Sequence, residues 1–170
     1  PVNPNTIVVA IKSYPDSFEK KDEMQNETVL KNARLSLTDG IVDIKFFSDD
    51  FEMKDAVDLM DRFMRIDPDY EFFRSTDSFR FLTEDISDVR EILESFSSHR
   101  NSSQTGLAKI TIHIPENEYS SEVVSYVSEI LHDNGIELFN AFFGQDHIVA
   151  VLHEKDAPRA YQILRREITR

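Results

Sequence analysis

The strongest constraint in this sequence is a pattern that occurs twice. Residues 40–46 read Gly-Ile-Val-Asp-Ile-Lys-Phe, and 66 positions later residues 106–112 read Gly-Leu-Ala-Lys-Ile-Thr-Ile. Each is a glycine followed by period-2 alternation, the mark of a half-buried strand. Val42, Ile44 and Phe46 share one face of the first, and Ala108, Ile110 and Ile112 share the equivalent face of the second. Arg34 and Arg100 keep the same offset.

The segment after each strand also repeats. A short acidic loop leads into an amphipathic helix whose apolar positions fall at i, i+3, i+4, i+7 and i+8. These are Ala56, Leu59, Met60, Phe63 and Met64 in the first copy, and Val123, Tyr126, Val127, Ile130 and Leu131 in the second. That stripe packs on a sheet. Asp49, Asp50 and Glu52, and likewise Glu118 and Glu122, lie where carboxylates complement a helix N-terminus, so capping accounts for them better than metal binding. A hairpin comes next. Residues 70–74 and 78–83 flank Ser75-Thr76-Asp77; residues 136–143 and 147–153 flank Gly144-Gln145-Asp146. The run Ile148-Val149-Ala150-Val151-Leu152 is apolar throughout, as a strand covered on both faces would be. A second helix closes each copy, with stripes Val89, Ile92, Leu93, Phe96 and Ala160, Ile163, Leu164, Ile168.

Strand, helix, strand, strand, helix, given right-handed crossovers, places both helices on one face of an antiparallel sheet. The spacing predicts domains over residues 34–99 and 100–170, joined by the polar stretch 97–104, behind a helical segment over residues 1–33. In that segment Asn3-Pro4 reads as a helix start and Ile7, Val8 and Ile11 as a stripe. Residues 34–37 read as an additional strand. No fourth strand follows the last helix of the second copy, so its sheet edge needs cover from residues 34–37, the sister domain or another molecule.

Composition narrows the function classes. The formal net charge is −13, which repels nucleic-acid backbones and anionic membrane surfaces. No apolar run reaches the roughly 18 residues of a membrane span. Cysteine is absent, which removes disulfides and thiolate chemistry and fits a cytoplasmic setting. There is no phosphate-cradling glycine loop, no Gly-x-Ser-x-Gly elbow and no His-Glu-x-x-His helix, so neither a catalytic constellation nor a cofactor is expected. His147 and His153 sit roughly 20 Å apart along one strand and cannot share a metal ion, so no metal site is expected either. Phe72, Phe73, Phe79 and Phe81, with Phe139, Phe142 and Phe143, put rings on both faces of the hairpins. Packing between domains or subunits explains them better than a base-stacking platform, which needs a basic sheet.

The second copy adds a resemblance. Asp133-Asn134-Gly135-Ile136-Glu137-Leu138-Phe139 and the run from His147 through Asp156-Ala157-Pro158-Arg159-Ala160 resemble an ACT domain of the kind found in aspartate kinases. There an Asn-Gly-Ile turn ends the first helix, and an Asp-Ala run links the last strand to the second helix. The wider chain resembles archaeal proteins carrying two ACT domains behind a helical region. The resemblance implies an α+β fold of two tandem ferredoxin-like, ACT-type βαββα(β) domains preceded by an N-terminal helix. It further implies a non-enzymatic, allosteric regulatory protein that senses a small-molecule effector, by analogy an amino acid. A homodimer is expected, as is the sensor role in a transcription regulator, with nucleic acid contacted only through a missing N-terminal region. The alternative is a ligand-free oligomerisation or protein-interaction module.

Candidate ligand-binding residues come from the same resemblance: Ser48, Asp49 and Asp50, then Glu116, Asn117 and Glu118, in the two strand-to-helix loops, and the Asn134, Gly135, Ile136 turn. These loops depart from the glycine-containing loop of amino-acid-binding ACT domains. Both are acidic, and a carboxylate would meet repulsion there.

Overall fold

A computed structural model describes residues 30–118 and 120–169. The expected helix over residues 1–33 lies almost wholly outside the described residues. The chain divides into two compact units. One, the inserted unit, is Asp39–Leu107. The other, the flanking unit, comprises residues 30–38 and 108–169 among those described. Both cuts fall inside long strands.

The inserted unit is built from β1 (Arg34–Phe47), α1 (Met53–Met64), β2 (Glu71–Arg74), β3 (Ser78–Glu84), α2 (Ser87–Glu94) and β4 (Asn101–His113), with β1 and β4 each contributing the part within 39–107. Its strands run in the order β2-β3-β1-β4. Antiparallel pairing sets Ile44 opposite Phe81 and Phe46 opposite Phe79, with Phe72 beyond Phe81. These residues line the face under the helices, where they meet Phe51, Ala56, Leu59, Phe63 and Val89. The core is a nest of rings: Phe46 stacks on Phe51 at 4.3 Å, and Phe63 meets Phe81 edge-on at 5.8 Å. Both geometries suit the aromatic quadrupole. Buried Asp67 ties the α1–β2 loop to β3: its carboxylate accepts from the Thr83 hydroxyl at 2.9 Å and the Glu84 N–H at 3.1 Å. A buried polar group needs such partners, and this one has them.

The flanking unit contains the remaining parts of β1 and β4, then α3 (Ser121–Asp133), β5 (Asn140–Phe143), β6 (His147–His153) and α4 (Ala157–Thr169). Its order is β1-β4-β6-β5. Ala108, Ile110 and Ile112 of β4 pack with Val123, Tyr126, Val127 and Leu131 of α3 and with Ala160 and Leu164 of α4. Leu30 and Ala33 join that core, and Leu35 packs against it. Ile148 to Leu152 are all buried, as their unbroken apolar run predicts for an inner strand. The start of β1 therefore supplies the edge that the second copy lacks.

Four details differ from the sequence expectations. Residues 34–37 are not a separate strand: β1 runs through Gly40, whose φ of +60° puts a left-handed kink in the strand. Residues 101–104, the end of the expected link, are not linker but the opening of β4; they are exposed on both sides, so no alternation betrays the strand. Residues 136–139 precede β5, because Ile136 is drawn into the core by the end of α3. Met64 points outward at 54% exposure instead of joining Phe63 in the core.

Candidate functional site

Each unit has a loop carrying its first strand into its first helix, and the two loops are anchored alike. In the inserted unit the Ser48 N–H donates to the Asp77 carbonyl at 2.9 Å; in the flanking unit the Ile114 N–H donates to the Asp146 carbonyl at 2.7 Å. The hairpin turn of each copy thus holds the start of its acidic loop. Glu52 and Asp55 then shape the start of α1, where the Asp55 carboxylate accepts the Glu52 N–H at 2.9 Å.

The carboxylates differ in what they hold. Asp49 accepts from the Arg100 guanidinium at 3.3 Å, and Asp50 accepts the Arg100 backbone N–H at 2.9 Å. His99 Nδ1 donates to the Asp50 carbonyl at 2.9 Å, and its ring stands edge-on to Phe51. The guanidinium lies 4.0 Å from the centre of the Phe47 ring, a cation–π contact that fixes its direction. Ser48, Asp49 and Asp50 are all exposed, yet the last two are engaged by the chain's own basic pair. His99 and Arg100 are the residues that sequence reasoning passes over. Their signal is a lone basic pair at the end of a polar stretch, facing the acidic loop across the β1–β4 edge.

In the flanking unit Glu116 and Asn117 are exposed and Glu118 is half-buried in a short 3-10 turn. Glu118 Oε1 accepts from the Asn32 amide at 2.6 Å. Among the described residues, neither Glu116 nor Glu118 has a cationic partner. The Asn134-Gly135-Ile136 turn spends its donors in ending α3. The N–H groups of Asn134, Gly135 and Ile136 donate to Ile130, His132 and Leu131, and Gly135 takes a φ of +72°. The Asn134 carbonyl accepts from Arg159 at 2.7 Å, and Ile136 is buried. Glu116 to Glu118 and the Asn134 turn sit at opposite ends of the 13-residue α3, about 20 Å apart by helical rise, too far for one small ligand.

A smaller polar cluster lies at the β5–β6 turn. His147 Nδ1 is 2.9 Å from Asp146 Oδ1, and the rings of His113 and His147 are 6.3 Å apart. The hydrogen bond to His147 holds the Asp146 carboxyl below the ordinary aspartate value; desolvation opposes it, and the charges of His147 and His113 assist. The His147 ring rests on Gly144, where a Cβ would come within 2.4 Å of it. No set of three His, Asp or Glu side chains among the described residues is placed to hold a metal ion. No helix among them is long and apolar enough to cross a membrane.

No protein-family model matches the sequence, and no curated protein matches it. Solved structures do. The chain is similar to the aspartate kinase of Clostridium acetobutylicum, with 10% identity and a TM-score of 0.64 over 79% of this chain and 34% of that one. It is similar to the regulatory subunit of aspartate kinase from Thermus thermophilus, with 11% identity and a TM-score of 0.63 over 79% of this chain and 97% of that one. It is also similar to E. coli aspartokinase III in complex with lysine and aspartate, with 14% identity and a TM-score of 0.56 over 80% of this chain and 33% of that one. The chain spans about a third of the whole kinases and nearly all of the separate regulatory subunit. Its α+β fold, antiparallel strands with four helices among the described residues, is that of the ferredoxin-like, ACT-type regulatory domains of aspartate kinases.

Proposed function

We propose that this chain is a non-enzymatic regulatory protein in which two ACT-type units sense a small molecule, an amino acid by class. The observation that carries this reading is the extent of the likeness: about four-fifths of the chain, spanning both units, superposes on nearly all of a regulatory subunit. Unequal occupancy of the two acidic loops supports a location. The loop of the inserted unit already holds Arg100, whereas Glu116 and Glu118 have no cationic partner among the described residues. An ammonium group, either the α-amine or a basic side chain, is what two carboxylates and the Asn117 amide would hold. E. coli aspartokinase III with bound lysine makes lysine the first probe to try. The protein acts as a homodimer, and a ligand that prefers one arrangement of subunits shifts the population toward it. The finer role, sensor of a transcription regulator in the cytoplasm, rests on the resemblance alone.

A second reading is favoured by the self-occupied loop at Asp49 and Asp50: a ligand-free oligomerisation module. A thermal-shift screen of the twenty amino acids against the full chain separates the two. Selective, concentration-dependent stabilisation supports sensing, because a ligand that binds only the native state stabilises it by mass action. No stabilisation at millimolar concentrations moves the assignment to the module.

A further inference from the structure

Two histidines from neighbouring strands meet at one end of the flanking unit's sheet. β4 lies beside β6 in the strand order, and His113 closes β4 where His147 opens β6. Ile110 and Ile112 of β4, with Ile148 and Leu152 of β6, point into the helix-side core, so by alternation both imidazoles stand on the opposite face. Their ring centres are 6.3 Å apart, with the planes inclined at 38°. His113 is exposed and the His147 side chain is 37% accessible, so solutes reach both. The His147 ring is held in place. Its Nδ1 lies 2.9 Å from Asp146 Oδ1. An ionised carboxylate can only accept, so Nδ1 carries the proton and Nε2 of the neutral ring keeps its lone pair. The ring also fills the space over Gly144, where a Cβ would come within 3.0 Å of Nε2. Gly144 has no left-handed φ, so this contact, and not the backbone, accounts for a glycine there. A histidine whose far nitrogen donates to a carboxylate is the arrangement that metal-ligating histidines carry, since the acceptor fixes the ring and raises its basicity.

We propose that His113 and His147 bind a divalent late transition-metal ion, zinc or nickel by class, with Asp146 orienting His147 from behind. An ion held at about 2.1 Å by one nitrogen of each ring lies about 3.2 Å from each ring centre, which sets two ligating rings about 5–6 Å apart. The observed 6.3 Å reaches that range through a small turn of His113, which makes no hydrogen bond among the described residues. Imidazole suits zinc, nickel and copper, whereas magnesium and calcium take oxygen ligands. Two protein ligands leave the remaining positions to water. The net charge of −13 draws cations to the surface without choosing among them; the imidazoles choose. Asp146 also joins this site to the acidic loop, because its carbonyl accepts the Ile114 N–H while its carboxylate orients His147. An ion across His113 and His147 thus clamps β4 to β6 where the loop of Glu116, Asn117 and Glu118 begins. The site does not depend on the amino-acid reading above.

Calorimetric titration of zinc chloride into the full chain, free of any purification tag and in a non-chelating buffer at neutral pH, tests it. Saturable binding of one ion per chain at submillimolar zinc is expected. His113→Ala and His147→Ala each weaken it at least tenfold, and Asp146→Ala weakens it about tenfold, as loss of the carboxylate behind a ligating histidine does. His153→Ala, at the far end of β6 and roughly 20 Å away by strand rise, leaves it unchanged. A second readout needs no variant: substoichiometric nickel chloride should broaden the NMR signals of His113 and His147 before those of His99, His132 and His153. No saturable binding at millimolar zinc overturns the site. So does binding that is indifferent to His113→Ala and His147→Ala, or nickel broadening spread evenly over all five histidines.

Discussion

Arg100 binds Asp49 while its guanidinium sits 4.0 Å from the centre of the Phe47 ring, so one carboxylate of the acidic loop of the inserted unit is paired by its own chain. Both side chains are more than half exposed, which limits the pair's worth. Arg100→Ala should cost less than about 1 kcal/mol in urea denaturation. The backbone N–H bond from residue 100 to Asp50 survives that change. A loss above about 2 kcal/mol would show that the clasp is a structural support of the fold, contrary to its exposure.

Asp43 and Arg80 form the opposite case. On the sheet face away from the helices, the nearly inaccessible Asp43 carboxylate receives Arg80 Nε at 3.2 Å and Nη2 at 2.5 Å. Removing the cation strands a buried charge. Arg80→Ala is therefore expected to cost about 3–5 kcal/mol, and Asp43→Asn with Arg80→Met to recover much of it. Chemical denaturation of the single and double variants measures both. Equal losses in the two would sink the pairing argument.

Gly40 and Gly106 hold φ values of +60° and +72° inside strands, with open space where a Cβ would sit. Alanine there meets backbone strain alone, so each Gly→Ala substitution should cost about 1–2 kcal/mol. Gly144→Ala differs in kind, because its Cβ would displace the His147 ring. Its readout is the Asp146 titration.

That titration has a definite sign. The folded-state pKa of Asp146 lies below its ordinary value, so its contribution to stability is complete above the ordinary aspartate range. It is lost as pH falls through the lowered folded value. Carboxyl-detected NMR should show Asp146 titrating below 3.8, and moving upward in both His147→Ala and Gly144→Ala. An unmoved Asp146 in His147→Ala would remove His147 as the cause.

Much of this fold is legible in the sequence, because burial on one face leaves a period. Val42, Ile44 and Phe46, and Ala108, Ile110 and Ile112, announce two strands, and the stripes from Ala56 and Val123 announce their helices. The hidden parts have no period. Asn101 to Thr105 are exposed on both faces of the strand, so β4 is visible only from Gly106 onward. Met64 reads as core because it continues the spacing of Phe63, but its angle on the helix carries it past the buried sector. The candidate loops are visible as acidic segments. That Arg100 fills one of them depends on β4 pairing beside β1, a contact between residues about 50 positions apart that no local pattern encodes.

Amino-acid sensing is open to direct test by calorimetric titration of the twenty amino acids, lysine first, into the full chain. Saturable binding of at least one is expected, abolished by Glu116→Gln with Glu118→Gln and retained in Asp49→Asn. Ligand at a hundred times its Kd should then stabilise the protein by about 2.7 kcal/mol. Heats indistinguishable from dilution for all twenty at millimolar concentration would overturn the sensor and leave the oligomerisation module as the function of this fold.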